Sequence, residues 1–537
     1  MPTVDDLCRS YLDLKYHFDP AAASGAGLVV HDGRLGRFDT ETVRAQMAAL
    51  RAVAGAAEEL EVGDVQEEID RTALLGELRN VTFRWEKERP HIRNPSYWLN
   101  HLFQAHYAVL SRRSTATEGS GLTVLERLET VPEFLETARG TVSEPPPVFV
   151  EQALIMLGGG GQLLVKVVAQ AAKREPALRE RLEAAGKKAL EALTRFGAAL
   201  RDEIEPSADP LSFAIGEEQF GRRLQYEHAL ASGASELWRY GLRLMEETEA
   251  RLVALAAEMG PTPWRELVDR MRSDAPSGDV LEAYRGELER ARRFVVEQDL
   301  VSVPSAPVDI VPTPEFLVSL VPFAAYEPPP IYLGDQRGRF YVTPPDPTLS
   351  PEAYAQQLRG HCRHAIPAMV VHEAYPGHHL QLVTAQGLGS EVRRHLWTPV
   401  MVEGWALYCE QLMEEAGFYQ SVNERLFRLV NLLWRAVRIV LDVGLHTRGT
   451  SPAEAVDYMV EHLPIERSGA EAEVRRYCAW PTYQLCYAVG GREILRLRDS
   501  YRDEAGAAFS LRTFHDTLLR YGGLPISLAR WGMDLAD

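Results

Sequence analysis

The sequence predicts a mainly α-helical fold. Three observations carry that expectation: long segments with apolar residues three and four apart, strong helix formers filling them, and β-prone runs confined to one proline-rich stretch. Tyr97 to Arg113 (YWLNHLFQAHYAVLSRR) places apolar side chains at helical spacing. Ala177 to Ile204 is rich in Ala, Leu, Glu, Lys and Arg, and Pro206, Asp209 and Pro210 stop it. Ser235 to Met259 and Val280 to Gln298 repeat the amphipathic pattern, with a Gly/Pro/Ser-rich stretch between them. Core packing explains such stripes without any further function.

The texture changes from Val301 to Pro351, where prolines recur from Pro304 through Pro322 to Pro347. Between them lie two short β-prone runs, Ile331-Tyr332-Leu333 and Arg339 to Thr343, joined by Asp335, Gln336, Arg337 and Gly338. This pattern predicts a hairpin, and with it a small antiparallel sheet. Helices resume from Tyr354. The expected organisation is a helical half over residues 1–300 and a catalytic half over 301–537, joined at a soft boundary into one unit.

Composition narrows the function class. At 537 residues and 46% hydrophobic, the chain can bury a large core. A formal net charge of -18 argues against nucleic-acid or anionic-membrane surfaces, which reward Lys and Arg. The cysteines, Cys8, Cys362, Cys409, Cys478 and Cys486, are odd in number and form no CxxC pair, so a reducing compartment is the simpler expectation. The first residues are acidic without an apolar core, and runs such as Val148 to Leu157 are too short to span a bilayer. The expected location is the cytoplasm, with no membrane and no nucleic-acid partner.

The chemistry concentrates at His372-Glu373-Ala374-Tyr375-Pro376-Gly377-His378-His379. A His-Glu pair after an apolar run begins the HExxH motif, in which two histidines one turn apart hold zinc and the Glu is the general base. Here the fourth position after His372 is Pro376 instead. On a regular helix His378 would lie roughly 120° around from His372, and His379 about 10.5 Å further along the axis. Neither geometry fits one ion. Pro376 cannot continue the helix, and Gly377 permits backbone paths closed to other residues. A break there could return a later histidine to His372. His378 is the favoured second ligand, with His379 as its alternative or a neighbouring polar group.

A third ligand is offered by Glu403, a carboxylate among Val400, Met401, Val402, Trp405, Ala406 and Leu407. Such a setting is costly for a charge unless it is paired or metal-bound. A helix N-terminal acid is the plainer explanation of Glu403 taken alone. Two histidines and one glutamate would leave a fourth zinc position for water. Gly158 to Gly161 lacks a following Lys-Ser/Thr, which excludes a phosphate loop. His361-Cys362-Arg363-His364 reads as a solvent-facing turn rather than a second metal site.

HEAYPGHHLQ followed by EGWALY resembles a bacterial domain-of-unknown-function family with the signature HExxPGHH. That family looks like a distant branch of the gluzincin metallopeptidases, similar in architecture to thimet oligopeptidase, thermostable carboxypeptidases and angiotensin-converting enzyme. The resemblance extends to Arg127–Leu135 (RLETVPEFL), followed by Pro145-Pro146-Pro147, and to Ile215–Phe220 (IGEEQF), Glu236–Gly241 (ELWRYG) and Glu473–Gly490 (EVRRYCAWPTYQLCYAVG). In the last stretch Thr482, Tyr483 and Cys486 stand where the family has Gly, Gln and Ser. It implies a large helical zincin-like fold with a deep cleft and the small sheet near the active site. It also implies His372, His378 and Glu403 as zinc ligands and Glu373 as base, and it points to Tyr487 as the oxyanion donor, against the alternative of a core aromatic.

Arg476 could grip a substrate carboxylate, although a structural ion pair is the simpler expectation. The strand at Tyr341-Val342-Thr343 could pair with an extended substrate. The expected function is zinc-dependent hydrolysis of a small peptide. The alternatives are a non-peptide amide metabolite cleaved at the same site, and a non-catalytic binding protein that keeps the fold. Homodimerisation is left open.

Overall fold

The amphipathic segments become helices, and those expected over 177–204, 235–259 and 280–298 lie within two residues of the limits set by their periodicity. The computed structural model describes residues 2–111, 120–276, 278–314, 318 and 323–535. Arg112, Arg113 and Pro322, named above, lie outside the described residues. The helices that matter here, in chain order, are α1 (Pro95–Ser111), α2 (Pro147–Arg174), α3 (Arg179–Asp202), α4 (Ala234–Ala257) and α5 (Val280–Glu297). They are followed by α6 (Ile366–Glu373), α7 (His378–Gln386), α8 (Pro399–Glu415), α9 (Val422–Thr447), α10 (Arg467–Ala479) and α11 (Cys486–Ala505). Local chemistry starts several of them. Asp279 caps α5 through Leu281 N, Thr398 caps α8 through Met401 N ahead of Pro399, and Ser421 caps α9 through Glu424 N. With one three-stranded sheet among these helices, the fold is mainly α, as expected.

The chain forms two compact units: residues Met1–Glu61, Glu77–Phe213 and Pro330–Asp335, and residues Val62–Gly76, Ala214–Pro329 and Gln336–Asp537. Within the first, α2 packs against both α1 and α3. The glycine run does not interrupt α2. A Cβ on Gly160 would fall 1.8 Å from the Phe103 ring, so the glycine admits that ring against the helix backbone. This joins Val148–Leu157 to the apolar residues beyond it. The resulting helix is long and apolar enough to cross a membrane, by length and composition alone. The expectation that every apolar run is too short is thereby corrected.

In the second unit α8 packs most extensively on α11, and α4 on α9. Its sheet consists of β1 (Val308–Pro312), β2 (Ala324–Glu327) and β3 (Gly338–Val342), in the order β1-β3-β2. β1 runs parallel to β3 with Ile310 opposite Phe340, and β2 runs antiparallel with Tyr326 opposite Phe340. The sheet is therefore mixed, not antiparallel, and the expected hairpin partner is wrong. Ile331-Tyr332-Leu333 forms turns, whereas Ala324–Glu327 pairs with β3. Pro328, Pro329 and Pro330 follow β2 directly, and prolines cannot donate to a ladder.

Candidate metal centre

The helix carrying His372 and Glu373 ends where the sequence departs from HExxH. α6 stops at Glu373, four residues follow, and α7 begins at His378. The Tyr375-Pro376 peptide is cis. Gly377 folds back against α6, its N–H donating to the Val371 carbonyl at 3.0 Å. A Cβ on Gly377 would lie 1.9 Å from the His372 carbonyl oxygen, so only glycine permits this return. The Pro376 carbonyl accepts the Trp405 indole N–H at 2.8 Å, which ties the break to α8.

The break places His378 beside His372. Their ring centroids are 4.8 Å apart. Glu403 reaches both from α8, with Oε2 3.6 Å from His372 Nε2 and 3.4 Å from His378 Nε2. All three residues are buried, and each offers a ligand atom within 4.8 Å of the others. Among the described residues this is the one such group of His, Cys, Asp and Glu side chains. Ligands bonded at about 2.0–2.1 Å around a tetrahedral ion stand about 3.3–3.4 Å apart, close to both measured edges. Glu403 Oε2 is buried without a hydrogen-bond partner, and the donor set suits a divalent transition ion. These residues fit a metal.

Surrounding groups aim the ligands. Glu410 lies seven residues after Glu403, two turns along the same face of α8, and its Oε1 is 2.9 Å from His372 Nδ1. That contact turns His372 Nε2 toward Glu403. The Tyr483 hydroxyl donates to Glu403 Oε1 at 2.5 Å, leaving Oε2 for the shared centre. Glu373 Oε2 accepts the Tyr326 backbone N–H at 3.0 Å. The Tyr487 ring lies nearly parallel to His372, 6.2 Å between centroids and 18° between planes. α11 can bring it there because Gly404 and Gly490 meet without side chains. A Cβ on Gly404 would be 2.5 Å from Gly490 Cα.

Charge follows the geometry. Burial alone would lower the pKa of His372, but contacts with Glu403 and Glu410 and the charge of Glu373 push it up to about 9. Burial opposes ionisation of Glu403, yet His372 and His378 hold it well below the usual carboxylate range. The carboxylates therefore favour positive charge at His372. A divalent cation meets the same demand with the His372 imidazole neutral.

A family model for bacterial proteins of unknown function, DUF885, matches residues 20–533. The chain belongs to this family. No curated protein matches it. Two solved structures share its fold. One, from Shewanella oneidensis and provisionally described as a lipoprotein of unknown function, is 22% identical with a TM-score of 0.82, covering 99% of this chain and 100% of that one. The other, from Colwellia psychrerythraea and provisionally described as a lipoprotein, is 18% identical with a TM-score of 0.85, covering 99% of each chain.

In this DUF885 chain the remaining expected residues fall into other roles. His379 is fully buried, with Nδ1 2.9 Å from the Tyr326 hydroxyl and Nε2 3.0 Å from the Ala306 carbonyl. Burial lowers its pKa to about 4, and both nitrogens are engaged away from Glu403. Tyr341 donates to Glu327, and its strand β3 is paired on both edges. That strand cannot offer its backbone to an extended substrate, because β1 and β2 already take its hydrogen bonds. Arg476 is bound to Glu473 at 2.8 Å. His361 and Cys362 are buried, His361 between the Tyr284 hydroxyl and the Thr343 carbonyl, whereas Arg363 of the same turn is exposed.

Two site contacts escaped the sequence. Glu410 was detectable, as a second acid on the apolar face of the helix that carries Glu403. Tyr483 stood out only as a departure from the family pattern.

Proposed function

We propose that this chain is a zinc-dependent hydrolase of peptide or closely related amide bonds. The observation that carries the reading is the convergence of His372, His378 and Glu403 about a buried, unpartnered carboxylate oxygen. His372 and His378, with Glu403, would hold the zinc, which lowers the pKa of bound water and polarises a carbonyl. Glu373 is the general base. Its Oε2 is fixed by the Tyr326 N–H, and among the described residues Oε1 has no hydrogen-bond partner and can take a proton. Glu373 then returns that proton to the leaving amine. The Tyr487 hydroxyl, which has no hydrogen-bond partner among the described residues, serves as donor to the developing oxyanion. Tyr483 is a poorer donor because Glu403 already takes its proton.

The resemblance to gluzincins supports the same assignment. Compartment belongs to the proposal too. Five buried cysteines, none of them in a disulfide among the described residues, favour the cytoplasm, whereas the descriptions of the two structural neighbours favour an anchored or secreted protein. Cell fractionation separates these.

The deciding experiment is metal analysis of the purified protein beside its His372→Ala and His378→Ala variants. About one zinc per chain is expected in the wild type and a near-complete loss in both variants. Unchanged zinc in both would refute the site.

A further inference from the structure

Beyond the ligands, an excess of guanidinium groups surrounds Tyr487. Arg435 and Arg438 come from α9, and Arg476 comes from α10. The Arg438 guanidinium carbon lies 4.8 Å from the Tyr487 ring centre, and that of Arg435 lies 5.7 Å away. One carboxylate, Glu473, serves two of the three. Its Oε2 accepts from Arg438 at 3.1 Å, from Arg476 at 2.8 Å and from the Tyr477 hydroxyl at 2.7 Å.

Arg435 is different. Its side chain is 15% exposed, and among the described residues its one hydrogen bond runs from Nη1 to the Asn431 carbonyl of its own helix at 3.3 Å. Its Nε is buried and unpartnered. The nearest acid, Glu410, is 3.9 Å from Nη2 and is already engaged by His372. A guanidinium carries five donors in a rigid fork, and a buried one without an acceptor, as at Nε, is costly unless an anion completes the site.

We infer that Arg435, backed by Arg438, is a receptor for the free terminal carboxylate of the substrate. The chain would then act on the carboxyl-terminal end of short peptides or on N-acyl amino acids. This deepens the hydrolase reading and rests on it. The spacing agrees. Through Tyr487, 6.2 Å and 5.7 Å place the Arg435 guanidinium within about 12 Å of the His372 ring, and an extended residue spans at most about 3.3–3.6 Å. The span between a scissile bond at the metal and a carboxylate at Arg435 is therefore no more than about three residues. Arg476, the sequence candidate, is the weaker choice because Glu473 holds it at 2.8 Å, as it holds Arg438 at 3.1 Å, whereas Arg435 has its acid at 3.9 Å.

The test uses the full-length zinc-loaded protein carrying Glu373→Gln, so that probes are not consumed. Calorimetric titration compares N-acetyl-dialanine with its terminal carboxamide. The acid is expected to bind at least about tenfold more tightly. Adding Arg435→Gln should erase the difference by weakening the acid alone, and Arg435→Lys should keep part of it. A purely structural arginine would weaken both probes equally. Equal binding of acid and amide, binding of neither, or a preference that survives Arg435→Gln overturns the proposal. If Arg435→Gln does not fold, Arg435→Lys decides: an undiminished preference overturns the proposal. The hydrolase reading fails separately. A chain that prefers the acid but cleaves no amide bond refutes hydrolysis and leaves the receptor standing. One that cleaves free-acid and amidated peptides alike does the reverse.

Discussion

Helices α3 and α8 solve opposite problems. α3 buries Leu182, Ala185, Ala189, Leu193, Phe196 and Leu200 on one stripe and leaves its charged residues in water. Periodicity, propensity and packing all favour the same helix. α8 is buried from Pro399 to Glu410 and carries two carboxylates, Glu403 and Glu410, inside that burial. Taken alone, α8 conflicts with the rule that interiors exclude charge. The conflict is resolved by His372, His378 and Tyr483, which come from outside α8. Local agreement marks a structural element, and local conflict settled by distant partners marks a candidate site.

The comparison can be broken. Replacing a core residue of α3 should damage stability and spare chemistry, and replacing a polar residue at the centre should do the reverse. The largest effect is expected for Glu373→Gln, which should lower amide hydrolysis by about 10²–10⁴-fold while zinc content and unfolding midpoint hold. Turnover of a peptide panel beside wild type measures this, and retained turnover would remove Glu373 as base.

Next comes Phe196→Ala in α3, where Phe196 is 2% exposed. It should cost about 3–5 kcal/mol in urea unfolding and leave zinc stoichiometry unchanged. Loss of zinc there would show that the division between structural and functional helices is false. Glu410→Gln in α8 should weaken metal affinity by about 10–100-fold through loss of the contact that orients His372. Competition with a chromogenic chelator measures it, and wild-type affinity would make Glu410 merely structural.

The smallest effect sharpens the comparison at α9. Asp442 is fully buried and accepts the backbone N–H groups of Thr482 and Leu485, at the turn that presents Tyr483 to Glu403. Burial raises its pKa from 3.8 to about 7, even though those N–H groups favour the carboxylate. The folded pKa lies above the ordinary one, so the folded chain holds an extra proton between about pH 4 and 7. This contribution to stability is therefore complete below that window and lost as pH rises through it. Asp442→Asn should flatten this part of the stability profile, read by chemical unfolding from pH 4 to pH 8. Parallel profiles for the two proteins would rule the contribution out.

Much was legible before the fold. Apolar periodicity marked α3, α4 and α5 to within two residues, because a helix face depends on neighbours three and four positions away. The Pro376-Gly377 break was legible for the same reason: proline and glycine act locally. The sheet was less so. Ile331-Tyr332-Leu333 has strand chemistry but forms turns, because strand pairing is decided by segments distant in sequence.

By itself the sequence determined the helical class, the interrupted metal motif and the unusual position of Glu403, since each follows from residue type and short spacing. Tertiary structure decided that His378 and not His379 faces Glu403, that Glu410 and Tyr483 support the centre, and that Arg435 rather than Arg476 keeps unused donors. Those outcomes depend on where α8, α9, α10 and α11 meet α6 and α7. No local pattern encodes a meeting of side chains from six helices.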